Sequence, residues 1–338
     1  MDIKEAIARV VDRIDLTEAE TVAVMNQIMT GAATPLQVAA FLTALRMKGE
    51  KVEEITGAAR VMREKVHRVR VRADLVLDVV GTGGDKMGTF NISTASTFVV
   101  AGAGLTVAKH GNRSVSSRSG SADCLAALGV KVDAGKEVVE ACLEQIGVGF
   151  LFAPMLHEAM KYAVQPRKDI GIRTIFNLLG PLTNPAGATH QLTGIYDGAL
   201  TEMIAHTLKN LGAVRAMVVH GMEGMDELSL CGPTRVSELR DGKVESYTFT
   251  PEEAGLRRCR LEELSGGDPE GCAAILKKIL AGEKGPKRDI VLLNSGAALY
   301  VGGAAGSVAA GIKLAAESID SGKAQNKLDR LVEMTNGS

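Results

Sequence analysis

The chain has 338 residues, 39 Lys+Arg against 40 Asp+Glu, a formal net charge of -1 and no Trp. This length carries one large domain or two unequal ones with a full hydrophobic core, and the balanced charge excludes the long-range field of a general nucleic-acid binder. With 46% hydrophobic and 23% charged residues the chain is neither disordered nor fibrous, and five cysteines without zinc or disulfide spacing point to reduced thiols in a cytoplasmic protein.

Residues 1–65 read as helices throughout. The opening MDIKEAIARV places an acid second and has no apolar leader core, so no secretory leader is expected. Thr17 with Glu20 makes a capping box ahead of Val22, Met25, Ile28 and Met29. Thr34, Pro35 and Gln37 make a second, ahead of Val38, Phe41, Leu42 and Leu45. These apolar positions exceed what so small a subdomain can bury, which predicts a homodimer built on its helices. An amphipathic segment at 52–66 then enters the basic alternation HRVRVR at 67–72, which lacks aromatic residues and reads as a solvated connector.

At residue 75 the pattern changes. LVLDVV at 75–80 runs into a glycine turn, the pattern of a buried strand. Strand patterns recur at 105–108, 149–152, 191–195 and 216–220, with helical ones between them at 122–128, 137–146, 155–163 and 200–211. That alternation predicts an α/β sheet. Residues 236–249, with Asp241-Gly242 at the centre, read as a hairpin, and 269–280, 288–301, 308–318 and 324–334 as helices. Two uncharged stretches, 87–108 and 290–312, are long enough to cross a bilayer but rich in Gly, Ser, Thr and Asn. They are expected as buried soluble elements, with no membrane partner.

Three constellations carry chemistry. The first is GTGGDKMGTFNIST at 81–94, where a strand ends and a helix opens. Glycines let successive main-chain N–H groups face one anion, beside the positive end of a helix. It matches neither common nucleotide-loop pattern. The second is KHGNRSVSSRSGSAD at 109–123, three cations and five serines in fifteen residues after a predicted strand. Lys as a point charge and Arg as a fork suit a polyphosphate. The third is GMDELS at 224–229: Asp226 and Glu227 beside two phosphate loops suit Mg²⁺, which takes one or two carboxylates plus substrate phosphates. The histidines form no metal set, and no nucleophile elbow is present.

At these motifs the chain resembles the anthranilate phosphoribosyltransferase family, over nearly its whole length. The match rests on 81–85, 89–94, 109–117 with 120–123, 226–229 and GIRTIFNLLGPLTNP at 171–185. The resemblance implies an α/β protein with a small helical amino-terminal domain, 1–72 joined by part of 165–190. The larger α/β domain, 73–338, would have a central, mostly parallel sheet of the nucleoside phosphorylase/phosphoribosyltransferase class. It also implies a homodimer, phosphoribosyl transfer to the amine of anthranilate, and Mg²⁺, two ions per active site.

By the same resemblance, phosphoribosyl pyrophosphate would be held by Gly81, Gly84, Asp85, Thr89, Asn91, Ile92, Ser93 and Thr94 of the first loop. From the second it would be held by Lys109, His110, Gly111, Asn112, Arg113, Ser114, Val115, Ser116, Ser117 and Ser121. Ser93, Asp226 and Glu227 would bind metal, and Lys109, Asp226 and Glu227 would act in catalysis. Gly81, Asn112 and Arg167 would meet anthranilate, with His110, His157 and Pro181 lining its route. One local departure is Gln165-Pro166-Arg167, where the family more often has Pro-Val-Arg. Two other readings stay open: a pyrimidine-nucleoside phosphorylase, which needs no metal-bound pyrophosphate, and a non-catalytic relative that binds nucleic acid, against which the net charge speaks.

Overall fold

Side-chain caps decide where the first helices begin. The computed structural model describes residues 1–114 and 119–337. Helix α1 (Ile3–Val11) starts at Asp2, whose carboxylate accepts the Lys4 N–H at 2.6 Å. Helices α2 (Glu18–Met29) and α3 (Pro35–Lys48) start at the two expected capping boxes. Thr17 with Glu20, and Thr34 with Gln37, exchange reciprocal bonds of 3.3 and 2.9 Å. Helix α4 (Val52–Lys65) completes the bundle.

The chain then alternates β1 (Leu77–Gly81), α5 (Ile92–Gly102), β2 (Val107–Gly111), α6 (Ser121–Ala127), α7 (Lys136–Ile146) and β3 (Val148–Phe152). Short helices α8 (Ala153–Leu156), α9 (Lys161–Ile170) and α10 (Phe176–Leu179) lead to β4 (His190–Gly194). Helix α11 (Thr201–Asn210), β5 (Arg215–Gly221) and the hairpin β6 (Thr234–Arg240) and β7 (Lys243–Phe249) follow. The carboxyl-terminal helices are α12 (Pro269–Leu280), α13 (Pro286–Val301), α14 (Val308–Asp320) and α15 (Lys323–Asn336).

The strands form one sheet in the order β3-β2-β1-β4-β5-β6-β7, parallel from β3 to β5 and antiparallel through the hairpin. This is the expected α/β class with a mostly parallel sheet. Asp241 and Gly242 both take positive φ, 50° and 71°, the twist a two-residue hairpin turn needs. One sheet face is covered by α5 and the carboxyl-terminal helices, around Phe98, Leu125, Ile290 and Leu299. The other carries α11 and the bundle, whose Phe41, Leu42 and Ile55 share a core with Phe176, Ile204 and Val218. Among the described residues no helix is long and apolar enough to cross a membrane; 290–312 divides between α13 and α14.

The helix expected at 155–163 is corrected. The chain breaks at His157 (φ -112°, ψ 57°), passes a single 3₁₀ turn, and resumes as α9 to Ile170, running through Pro166. The break turns the His157 ring inward, where it is 7% exposed and bonded to His110. A buried polar contact outweighs helix continuity here. Arg167 therefore lies on a helix rather than on the connector that the sequence predicts.

Candidate active site

Parallel register brings the carboxyl ends of β1, β2, β4 and β5 to one edge: Gly81 pairs with Gly194 and Gly194 with Val219. Ligands bind such sheets beyond the strand ends. From β1, Gly83 and Gly84 turn the first loop with φ of 65° and 71°. The Gly83 N–H donates to Asp226 Oδ2 at 2.7 Å, and the Ser93 N–H at the start of α5 donates to Glu227 Oε1 at 3.1 Å. The acidic pair after β5 thus grips both ends of the glycine loop. Asp85 joins them, receiving the Met87 N–H at 3.1 Å and facing the Asp226 main chain at 3.5 Å.

Although part of each residue's surface is open, the carboxyl groups are enclosed by protein. That enclosure, with the charge of Asp85 second, pushes Asp226 up to about 7. Enclosure and then Asp226 raise Glu227 well above the usual carboxylate range. The charges of Asp85, Asp226 and Glu227 act on one another here.

Lys109, at 3% exposure, is the central residue of β2, with its ammonium on Val79 O at 2.7 Å and Ser93 Oγ at 3.2 Å. Burial lowers it, with Asp78 and then Glu227 opposing. In the second loop Asp123, near the start of α6, accepts the N–H groups of Ser114 and Gly120 at 3.0 Å each. It also pairs with the Arg113 guanidinium at 2.9 Å. The N–H of Ala122 and the Ser121 hydroxyl both close on Asn112 O, at 3.2 and 3.3 Å. Gly111 leaves no room for a side chain, since a Cβ there would stand 2.3 Å from Ser121 Oγ. Across the cleft the Asn91 amide meets Ser119 at 3.2 Å, so the two loops touch.

The third wall comes from 157–184. His110 Nδ1 donates to Gly180 O at 3.1 Å, which leaves Nε2 to accept from His157 Nε2 at 3.2 Å. Burial pushes His110 down to about 3 and His157 to about 4, so both rings are neutral at pH 7. Pro181 is buried beside them, its carbonyl bonded to Gln191 at 3.0 Å. Arg167 is half-buried with its guanidinium 5.2 Å from the Phe176 ring, and among the described residues it makes no ion pair.

Most of the expected residues thus gather at one edge of the sheet. Gly81, Gly84, Asp85, Asn91, Ser93, Lys109, Asn112, Asp226 and Glu227 line the loops. Thr89 sits on the far arm, bridged to Ser265. Ile92 is 1% exposed in the core, and Thr94 is also buried, its hydroxyl without a described partner. Val115, Ser116 and Ser117 lie outside the described residues. Arg113 pairs with Asp123 while more than half of its side chain stays exposed.

Sequence reasoning missed Arg173, which donates to Gly84 O and stacks 4.0 Å from the Tyr196 ring centre. It also missed Gly194, where a Cβ would fall 1.5 Å from Asp226 O. Asp78 and Asn184, joined at 2.6 Å, escaped it too. A lone Asp inside the apolar run 75–80 was the visible signal for the last pair.

Family models match twice: a glycosyl transferase family helical bundle domain over residues 4–66 and a glycosyl transferase family a/b domain over 73–325. The chain is 57% identical to the anthranilate phosphoribosyltransferase of Geotalea uraniireducens and 57% to that of Geobacter sulfurreducens, each over 99% of both chains. Its fold is similar to the Thermus thermophilus enzyme of that name, TM-score 0.93 at 46% identity, covering 98% of this chain and 99% of that one. It is also similar to the Saccharomyces cerevisiae enzyme in complex with PRPP and Mg, TM-score 0.90 at 28% identity, covering 99% and 98%.

Proposed function

This chain belongs to the anthranilate phosphoribosyltransferases, and from that premise we propose how its own residues share the work. The enzyme moves the phosphoribosyl group of phosphoribosyl pyrophosphate to the amine of anthranilate, a step of tryptophan biosynthesis. The products are N-(5-phosphoribosyl)anthranilate and pyrophosphate. The observation that carries the assignment of roles is the double grip of Asp226 on Gly83 and Glu227 on Ser93, which locks an acidic pair to a glycine loop at a helix start.

In the reaction the ribose C1–O bond to pyrophosphate breaks while the amine nitrogen bonds to C1. Charge builds on the ribose carbon and on the leaving group, and the nitrogen then loses its proton. The N–H groups of Gly83, Met87 and Ser93 are spent on Asp226, Asp85 and Glu227, so the pyrophosphate would meet the loop's remaining main-chain N–H groups and the positive end of α5, with the Lys109 ammonium behind them. Asp226, Glu227 and Ser93 would hold Mg²⁺, which when bound neutralises the departing pyrophosphate. The fit is chemical: enclosed carboxylates repel one another, with the Lys109 ammonium offsetting that only in part. Among the described residues no three His, Cys, Asp or Glu side chains close on a metal-sized site. Most ligands would then be substrate phosphates and water, as Mg²⁺ prefers. Asp226 and Glu227 bond to opposite ends of the loop, which supports two ions rather than one.

Arg167 takes the anthranilate carboxylate. The two neutral histidines supply no cation, and Arg113 and Arg173 are committed elsewhere. Gly81 and Asn112 border the acceptor, with His110, His157 and Pro181 along its route. No residue is assigned as base, because an arylamine sheds its proton readily once bonded to C1. Positioning and leaving-group electrostatics supply the acceleration.

The helical domain, 1–72 with part of 165–190, is the proposed dimer surface, against a catalytic domain of 73–338. Leu36 is 83% exposed and Met47 72%, both on α3, and Val11 of α1 is 63% exposed. The apolar positions from which the sequence predicts a surplus, among them Met25, Ile28, Phe41, Leu42 and Leu45, are buried within the chain itself, so what supports self-association is these exposed side chains. A monomeric mass by light scattering at micromolar protein would exclude it. Free thiols at all five cysteines support a cytoplasmic location. The activity is tested by the loss of anthranilate fluorescence on adding phosphoribosyl pyrophosphate. The loss is expected to require Mg²⁺, and a metal-independent loss overturns the metal assignment.

A further inference from the structure

Asp78 is the second residue of β1, which runs between β2 and β4, and is 0% exposed. Removing an anion from water there is costly, and a well-packed apolar side chain would serve stability as well or better. Nor does the nearest cation pair with it, since the Lys109 ammonium goes to Val79 O and Ser93 Oγ. What the carboxylate holds is an amide and a main chain. Its Oδ2 accepts from Asn184 Nδ2 at 2.6 Å and its Oδ1 from the His110 N–H at 3.2 Å. Burial raises Asp78 to about 6, against the pull of Lys109 and these bonds.

Asn184 has no freedom left. Its Nδ2 also donates to Ala108 O at 2.8 Å, while its Oδ1 accepts the Ala186 N–H at 2.8 Å. Those partners dictate which end of the amide faces Asp78. Upstream in the same segment, Gly180 O takes the His110 ring N–H and Pro181 O takes Gln191 Nε2. Each of β1, β2 and β4 therefore fixes one point of 180–184, and Asp78 is the only anion among the three anchors.

We propose that Asp78 is a positioning residue for the aromatic acceptor: through Asn184 and the His110 main chain it fixes the 180–184 segment and the His110 ring that wall the acceptor's approach. This rests on reading Pro181 and His110 as acceptor-lining residues. Asp78 touches neither substrate; it acts through the wall.

The test uses the full-length enzyme and two variants, Asp78→Asn and Asn184→Ala. In Asp78→Asn one of the two acceptor oxygens becomes an N–H donor, so the bond to Asn184 or the bond to the His110 N–H is lost. Each variant is expected to raise the anthranilate KM about tenfold, the size of a lost charge-assisted hydrogen bond. The KM for phosphoribosyl pyrophosphate stays unchanged. A lower melting temperature with an unchanged anthranilate KM overturns the proposal, as do equal rises in both KM values. Should Asp78→Asn fail to fold, Asn184→Ala decides. Arg167→Ala separates the two levels of inference. If it raises the anthranilate KM while the Asp78 and Asn184 variants are silent, only the positioning role falls. If it is silent too, the acceptor site itself falls.

Discussion

The loops over β1 and β2 look alike as sequences but are held in opposite ways. The 81–91 loop is anchored by residues 143 and 134 positions away, Asp226 on Gly83 and Glu227 on Ser93, with Arg173 on Gly84. The described ends of the second loop, 112–114 and 119–120, are held by Asp123, nine positions beyond Ser114, and meet Asn91 of the first loop at Ser119. The first gathers carboxylates and the second carries an arginine already paired. A loop anchored from a distance needs the whole sheet in register, whereas one anchored mainly by a near neighbour leans on the start of its own helix. Damage to the first should therefore reach chemistry and, where it displaces the main chain, the fold as well, and damage to the second mainly the binding of one substrate.

The largest expected effect comes from Asp226→Asn with Glu227→Gln. Turnover should fall about 10²–10³-fold, the scale of losing one electrostatic stabiliser of a transition state. The magnesium requirement should rise, while thermal stability holds because enclosed like charges have been removed. A parent-like magnesium titration would make the pair loop anchors and nothing more. Gly194→Ala strikes the same anchorage through the main chain, because its Cβ would stand 1.5 Å from Asp226 O. The expected cost is about 3 kcal/mol of unfolding free energy in a denaturant titration.

Arg167→Ala lies outside both loops and calibrates them. It should raise the anthranilate KM about 10- to 150-fold and leave that for phosphoribosyl pyrophosphate unchanged. Equal increases would place Arg167 with the phosphate loops. The smallest effect is expected from Asp123→Asn, which weakens only the local anchor: about a fivefold rise in the KM for phosphoribosyl pyrophosphate, near 1 kcal/mol. Acid should mimic it. Burial acts to raise Asp123, but the N–H groups of Ser114 and Gly120 and the Arg113 charge outweigh it and hold the carboxyl below its ordinary value. That stabilisation is complete above the unfolded-chain value of about 4 and fades as pH falls through the lower folded value. Hydrogen exchange of Gly120 followed from neutral pH toward acid would reveal the loop loosening.

Signals that live within a few residues were legible in the sequence. Capping boxes at Thr17 and Thr34, the glycines at 81–84, the Asp241-Gly242 turn and the basic loop each declare themselves through local backbone preference. They located the elements, the loops and the acidic pair, and the family resemblance named the chemistry. Where a local preference competed with a distant contact it misled: the helix pattern at 155–163 lost to the buried His157–His110 bond. What only the tertiary structure decided is which polar group meets which. Arg113 turned to Asp123 while Arg167 makes no ion pair among the described residues, and Asp78 found Asn184 across 106 residues. A buried charge takes whichever partner the strand order brings beside it, and that order, β2-β1-β4, follows from packing the whole sheet rather than from any stretch of its sequence.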